Sequence, residues 1–279
     1  MALTETDIGS TSMHRDIFKK FAALIYEKSG ITLNDNKEAL VSSRIAKRMR
    51  TLGLSGHRDY LRYVLDDTTG EEIVHMLDVI STNVTHFFRE AEHFDYVKEK
   101  MALWLKAGER KFTFWSAGCS SGEEPYTMAM VLRDVTSGYR LDLRILATDL
   151  STRILATSKA GKYDAKKAES IPGQYRDRYF EKEGYGAGAV YSAKEILRSL
   201  ITFKRLNLSV VPFPMKGPMD FIFCRNVMIY FDNRVRMNLL NEFHRLLKPG
   251  GYLCVGHAES LTGMLGGFKA IRPAVYVKT

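Results

Sequence analysis

The segment FTFWSAGCSSGEEPY, residues 112–126, carries two glycines, two adjacent carboxylates and no cation where an apolar run gives way to a helical pattern. Gly118 and Gly122 let a ligand approach the backbone closely. Ser121 and Glu124 have capping-box spacing for the following helix. A dinucleotide loop would read G-x-G-x-x-G and a triphosphate loop would end in Gly-Lys-Ser/Thr; neither pattern occurs. Glu123 and Glu124 would repel a pyrophosphate but suit a cationic nucleoside such as S-adenosylmethionine, with its ammonium and sulfonium. A second apolar run ends at Asp149, the strand-end position that accepts ribose hydroxyls in doubly wound folds. The competing reading is a plain glycine turn with solvated carboxylates and an Asp helix cap.

Three other places could serve the same site. Arg225, Asn226 and Tyr230 follow the apolar run 220–224, and ligands of open α/β sheets bind beyond the carboxyl ends of strands. Asn207 and Leu208 follow the run 201–203, where an amide or backbone group would read an adenine edge. In STNVTHFFRE, residues 81–90, Asn83 and Thr85 suit a turn. Arg89 is either a surface charge or a guanidinium matched to a substrate carboxylate. Lys248 to Gly251 reads as a structural turn, and His257 and Glu259 as surface residues.

These groups need elements to hold them. Residues 13–82 read as an all-helical domain of four helices, with apolar stripes through Phe18, Phe21 and Ile25, then Val41, Ile45 and Met49, then Tyr60, Leu61 and Val64, then Ile73, Met76, Leu77 and Ile80. Residues 1–12 read as a flexible tail. From residue 83 to 279, short apolar runs at 112–115, 143–147, 201–203, 221–224 and 252–255 alternate with helical patterns. That rhythm predicts an α/β fold with a mostly parallel sheet. Residues 268–271 and 274–278 suggest a terminal hairpin, and the glycine-bearing stretch of about 161–200 a small inserted β-subdomain.

The formal charge of +9 favours an anionic partner: nucleic acid, membrane surface or acidic protein. Lys37, Arg44, Lys47 and Arg48 share one side of the second helix and form a candidate docking face, the alternative being a solvated helix surface. Cys119, Cys224 and Cys254 form no CxxC pair, so neither a disulfide framework nor a metal site is expected. A reducing cytoplasm fits. No run approaches the roughly 20 apolar residues that span a bilayer, and the N-terminus has no basic-then-apolar signal pattern.

STNVTHFFRE, WSAGCSSGEEPYTMAM, ILATDLS, FKRLNL, FIFCRNVMIYFD and KPGGYLCVGHAES occur in that order. Together they resemble the CheR-type chemotaxis receptor glutamate methyltransferases over nearly the whole chain. The resemblance implies a helical N-terminal domain, a Rossmann-like S-adenosylmethionine domain and an inserted β-subdomain. It implicates Asn83, Thr85, Arg89, Gly118, Glu123 (chosen over Glu124), Asp149, Asn207, Leu208, Arg225 and Asn226 around the cofactor. Tyr230 would stand near the transferred methyl, and Arg89 and Tyr230 would be the catalytic pair that orients the acceptor carboxylate. The implied partner is the cytoplasmic domain of methyl-accepting chemoreceptors, with a receptor C-terminal peptide as a further contact of the β-subdomain. A cytoplasmic enzyme recruited to receptor arrays follows, with no nucleic acid and no membrane insertion. The rival readings are a nucleic-acid methyltransferase and a non-catalytic S-adenosylmethionine sensor. Against the first, no Asn-Pro-Pro-Tyr-like base pocket or RNA-binding module is present.

Overall fold

The computed structural model describes residues 13–81, 83–261, 263–264 and 266–279. The expected tail over 1–12 lies outside them. The chain divides into two compact units, Met1–Ser81 and Thr82–Thr279.

The first unit packs four helices: α1 (Arg15–Ser29), α2 (Glu38–Leu52), α3 (His57–Asp66) and α4 (Glu71–Ile80). Each buries the stripe its period dictates. Phe18, Phe21 and Ile25 of α1 are buried with Val41, Ile45 and Met49 of α2, Tyr60 and Val64 of α3, and Met76 and Leu77 of α4. Gly30 ends α1 and Gly53 ends α2 in the left-handed conformation. A polar tie joins three of the helices. Arg48 donates to Glu72 from Nε at 2.9 Å and from Nη2 at 2.5 Å, and the buried Tyr60 hydroxyl donates to the same carboxylate at 2.7 Å.

That tie occupies part of the expected docking face. Glu72 is buried, so it must hold a cation, and Arg48 is the one it holds. Arg44 donates to the Ile80 carbonyl. Of the four expected residues, Lys37 and Lys47 are exposed and Arg44 and Arg48 half-buried.

The second unit opens with α5 (Glu92–Lys106), then β1 (Lys111–Ala117), α6 (Glu123–Val135), β2 (Asp142–Asp149) and α7 (Thr152–Ala160). The inserted segment follows: β3 (Lys162–Asp164), α8 (Ala165–Ala168), α9 (Gly173–Tyr179), β4 (Phe180–Glu183), β5 (Val190–Ala193) and α10 (Glu195–Arg198). The chain then returns through β6 (Ile201–Arg205), β7 (Met219–Cys224), α11 (Asn233–Leu246), β8 (Leu247–Val255), β9 (Phe268–Arg272) and β10 (Val275–Lys278).

Seven strands form one sheet in the order β6-β2-β1-β7-β8-β10-β9, parallel from β6 to β8 and closed by the antiparallel β9–β10 hairpin. The insertion is a three-stranded antiparallel sheet, β3-β5-β4, one strand more than a simple hairpin. Both faces of the large sheet are covered, so its central strand β7 is buried at every position. Phe112, Phe114, Phe221 and Phe223 line one face, against Phe94, Val97, Met101 and Leu105 of α5. The expected turn over Lys248–Gly251 is instead the start of β8, with a register shift opposite Met219 and Phe221. Lys248 bridges Asp220 at 2.6 Å and Glu109 at 3.0 Å there, which anchors the residues as strand.

This order places the site. The chain steps outward from β1 to β2 and β6, then returns to β7 on the other side of β1. Strand order therefore reverses between β1 and β7, the switch point where loops splay and ligands bind.

Candidate active site

The β1–α6 loop lies at that switch point. Gly118 and Cys119 donate to the Thr148 carbonyl at 2.8 and 2.9 Å. Ser120 donates its backbone N–H to Asp149 Oδ2 at 2.8 Å, and its hydroxyl to the Asn83 carbonyl at 3.2 Å. The loop thus joins the β2 end to the 83–90 segment. Gly118 has φ of 88°, and a Cβ there would collide with the Val227 side chain from the β7 loop. The two switch-point loops touch because that residue is glycine.

Helix α6 starts without the expected capping box. Gly122 is its N-cap, with no side-chain hydrogen bond. Ser121 instead donates to Glu123 at 2.6 Å, and Ser116 donates to Glu124 at 2.7 Å. The two glutamates point different ways. Glu123 is wholly buried and pairs with Lys167 at 2.6 Å. Glu124 faces Arg225 at 3.3 Å. Both oxygens of Glu123, the residue expected to meet the cofactor, have partners within the chain, whereas Glu124 lies on the Arg225 side.

Arg225 is a hub. Its Nε meets Glu90 at 3.2 Å, its Nη1 meets Glu124, and its Nη2 donates to the Arg89 carbonyl. The guanidinium side chain is only 2% exposed and lies over the Phe94 ring. It was expected to face the cofactor; its side chain instead ties the 83–90 segment, the β7 loop and α6 together. Burial opposes ionisation of Glu90, but the Arg225 charge and the His257 amide hold its carboxyl below the usual range. At Glu124 burial wins, pushing the carboxyl up against the pull of Arg225 and Ser116.

Backbone strain gathers around this hub. Phe88 (φ 55°), Glu90 (52°), Ser120 (49°) and Asn226 (59°) are all non-glycine residues in the left-handed region. Such residues persist where surrounding contacts over-determine them, and they cluster at functional sites.

Glu259, read from sequence as a surface residue, is 5% exposed. It accepts from the backbone N–H groups of Gly256 at 2.6 Å, Asn226 at 2.7 Å and Ile229 at 3.2 Å. Burial raises its carboxyl, and these amides pull the other way. It holds the Arg225–Tyr230 loop in shape. Tyr230 ends a 3-10 turn in that loop and is half-buried.

The remaining expected residues also border the loops. Asn83, Thr85 and Arg89 are half-buried in the 83–90 segment, and Arg89 Nη1 donates to the Val84 carbonyl at 3.0 Å. Asn207 and buried Leu208 follow β6, where Leu206 donates to the Asp149 carbonyl at 3.0 Å. Asn207 Oδ1 accepts from the Ser209 N–H at 3.0 Å, fixing the turn.

His93 is buried and, with burial first and the Arg225 charge second, its pKa falls to about 4. Glu90, His93 and His257 bring potential ligand atoms within 4.8 Å of one another, which the sequence did not suggest. The Arg225 guanidinium on Glu90 opposes a second cation there.

The donor set fits a cationic nucleoside. Asp149 stands at the end of β2, Asn207 and Leu208 follow β6 beside it, and Glu90 and Glu124 share the Arg225 guanidinium.

Comparison with known proteins agrees. Residues 16–81 match the CheR methyltransferase all-alpha domain, and residues 83–277 match the CheR methyltransferase SAM binding domain. The chain is 35% identical to the chemotaxis protein methyltransferase of Borreliella burgdorferi, covering 95% of this chain and 94% of that one. It is 38% identical to a probable chemotaxis protein methyltransferase of Rhizobium etli, covering 86% and 91%. The chemotaxis protein methyltransferase of Escherichia coli K12 is 34% identical, covering 93% and 89%. With a cluster of carboxylates at the switch point and both family domains in order, the chain belongs to the CheR methyltransferase family.

Proposed function

We propose that this S-adenosylmethionine-dependent enzyme esterifies glutamate side-chain carboxylates on the cytoplasmic helices of chemoreceptors. The observation that carries this reading is the contrast between Arg225 and Arg89. Arg225 is locked to two carboxylates, whereas Arg89 is held by a neutral carbonyl. Its other N–H groups are the natural partner of an incoming carboxylate.

Asn83, Thr85, Gly118, Glu124, Asp149, Asn207, Leu208 and Asn226 would hold the cofactor. When bound, S-adenosylmethionine supplies a sulfonium-activated methyl for an acceptor oxygen. A glutamate acceptor, with an unperturbed pKa of about 4.3, is ionised at neutral pH, so no residue need remove a proton. Arg89 and Tyr230 orient the carboxylate and exclude water. Orientation of this kind contributes up to about 7–11 kcal/mol in ideal cases. Tight bidentate pairing would blunt the nucleophile, so a loosely held Arg89 suits the task.

Lys37 and Lys47 offer an acidic receptor helix an exposed cationic face. The small sheet ends in edge strands β3 and β4, which permit a receptor peptide to add as a further strand. Among the described residues, no helix is long and apolar enough to cross a membrane.

The test is a labelled-methyl assay on receptor cytoplasmic fragments. Label released as methanol by alkali marks a carboxyl ester and supports the reading. Stable label in RNA would make the protein a nucleic-acid methyltransferase. Cofactor binding without transfer to any receptor fragment would make it a sensor.

A further inference from the structure

Glu123 is a buried carboxylate at the first position of α6, directly after the 118–122 loop, and the cation that satisfies it comes from the inserted segment. Lys167, on α8, reaches Glu123 Oε1 at 2.6 Å and Ser121 Oγ at 3.0 Å. Tyr163, on β3, donates its hydroxyl to the Ser121 carbonyl at 3.0 Å. Ser158, at the end of α7, donates to the Ser120 carbonyl at 2.6 Å. Gly122 has φ of 97°, and a Cβ there would come within 2.8 Å of the Tyr163 hydroxyl and 3.0 Å of Ser158 Oγ. The loop is therefore held at Ser120, Ser121 and Glu123 by Ser158, Tyr163 and Lys167, while Asp149 accepts from the Ser120 N–H. Ser120 itself has φ of 49°, a conformation that must be held.

We infer that Lys167 is a positioning residue for methyl transfer, fixing the cofactor loop through Glu123 without touching the cofactor. The inference rests on the assignment of residues 118–122 as the cofactor loop. A buried carboxylate that loses its cation is strongly destabilising, but removing both charges together is often neutral. The pair is thus a clamp whose failure is specific to one partner being left alone. The exposed side of Lys167, 41% accessible, keeps the cation near water while its ammonium reaches inward.

The experiment is calorimetric titration of S-adenosylhomocysteine into the full chain, with steady-state kinetics on the same samples. Four proteins are compared: wild type, Lys167→Met, Lys167→Arg, and Lys167→Met combined with Glu123→Gln. Lys167→Met should weaken binding by about tenfold or more. Its KM for S-adenosylmethionine should rise in step, with kcat changed far less. Lys167→Arg should keep near-wild-type affinity, and the double variant should regain most of the loss. A Lys167→Met protein that binds like wild type overturns the inference. So does a double variant as weak as the single one, which would mean that Glu123 contacts the cofactor itself. If Lys167→Met fails to fold, the double variant and Lys167→Arg still decide the matter. Failure of the wild type to bind would sink the cofactor-loop assignment instead, a result distinct from both.

Discussion

Arg48 and Arg225 each hold carboxylates in this protein, the first half-buried and the second buried, and they do so in opposite ways. Arg48 meets Glu72 with a two-pronged grip between regular helices, and Tyr60 completes the set. Arg225 is divided between Glu90 and Glu124 and an Arg89 carbonyl, on segments with left-handed residues at Phe88, Glu90 and Asn226. The first network joins elements that would pack without strain. The second holds backbone that would otherwise relax. A buried ion pair in a helical unit is a stability device; one spread over strained loops at a switch point shapes a site.

The largest effects should break the two arginines apart. Arg48→Met and Arg225→Met each strand buried carboxylate and should each cost about 3–5 kcal/mol by denaturant unfolding. Under conditions where both remain folded, only Arg225→Met should lose S-adenosylhomocysteine binding. Equal loss of binding in both would erase the distinction.

His93 gives the next effect, through pH. Its folded pKa of about 4 lies below the ordinary 6.5, because burial and the Arg225 charge disfavour the imidazolium. Between these values the unfolded chain takes up a proton that the folded chain does not. Stability from this residue is therefore full above pH 6.5, declines as pH falls toward 4, and levels off below. The total is at most roughly 3 kcal/mol. The slope difference between wild type and His93→Gln over that window is the measurement; no difference would place His93 in contact with water.

Glu259→Gln leaves the carboxamide unable to satisfy all the backbone donors it gathers, at about 1–3 kcal/mol. Turnover should fall more than tenfold, because the Asn226–Tyr230 turn loses its brace. The smallest change in stability should come from Lys37→Glu with Lys47→Glu, within about 0.5 kcal/mol. That pair should raise the apparent KM for receptor and flatten its salt dependence. An unchanged KM at low salt would remove the docking face.

Much of the fold was legible because it is periodic. The stripes of α1 to α4 and the apolar runs that became β1, β2, β6, β7 and β8 follow from residue spacing. Helix α5 also carries an apolar stripe, Phe94, Val97, Met101 and Leu105, although it is not among the elements expected from the sequence. The hub was not legible in the same way. Arg225 and Glu90 lie 135 positions apart, and nothing local marks them as partners. Glu123 and Glu124 are neighbours on one helix turn, so only packing decides which faces the loop's underside. Glu259 looked like a surface acid because its partners are backbone amides, which carry no sequence signature. Arg44 and Arg48 looked like a docking face because their intramolecular acceptors, the Ile80 carbonyl and Glu72, belong to another helix.

The Arg225 network braces three segments of the fold, and under the proposed function it also shapes the cofactor site. Glu124→Gln tests that second role most directly, since it removes one of the network's two acids with the least change in shape. Measured side by side, thermal unfolding should shift little, while calorimetric affinity for S-adenosylhomocysteine falls by about tenfold or more. A clear drop in melting temperature with affinity left intact would contradict the account.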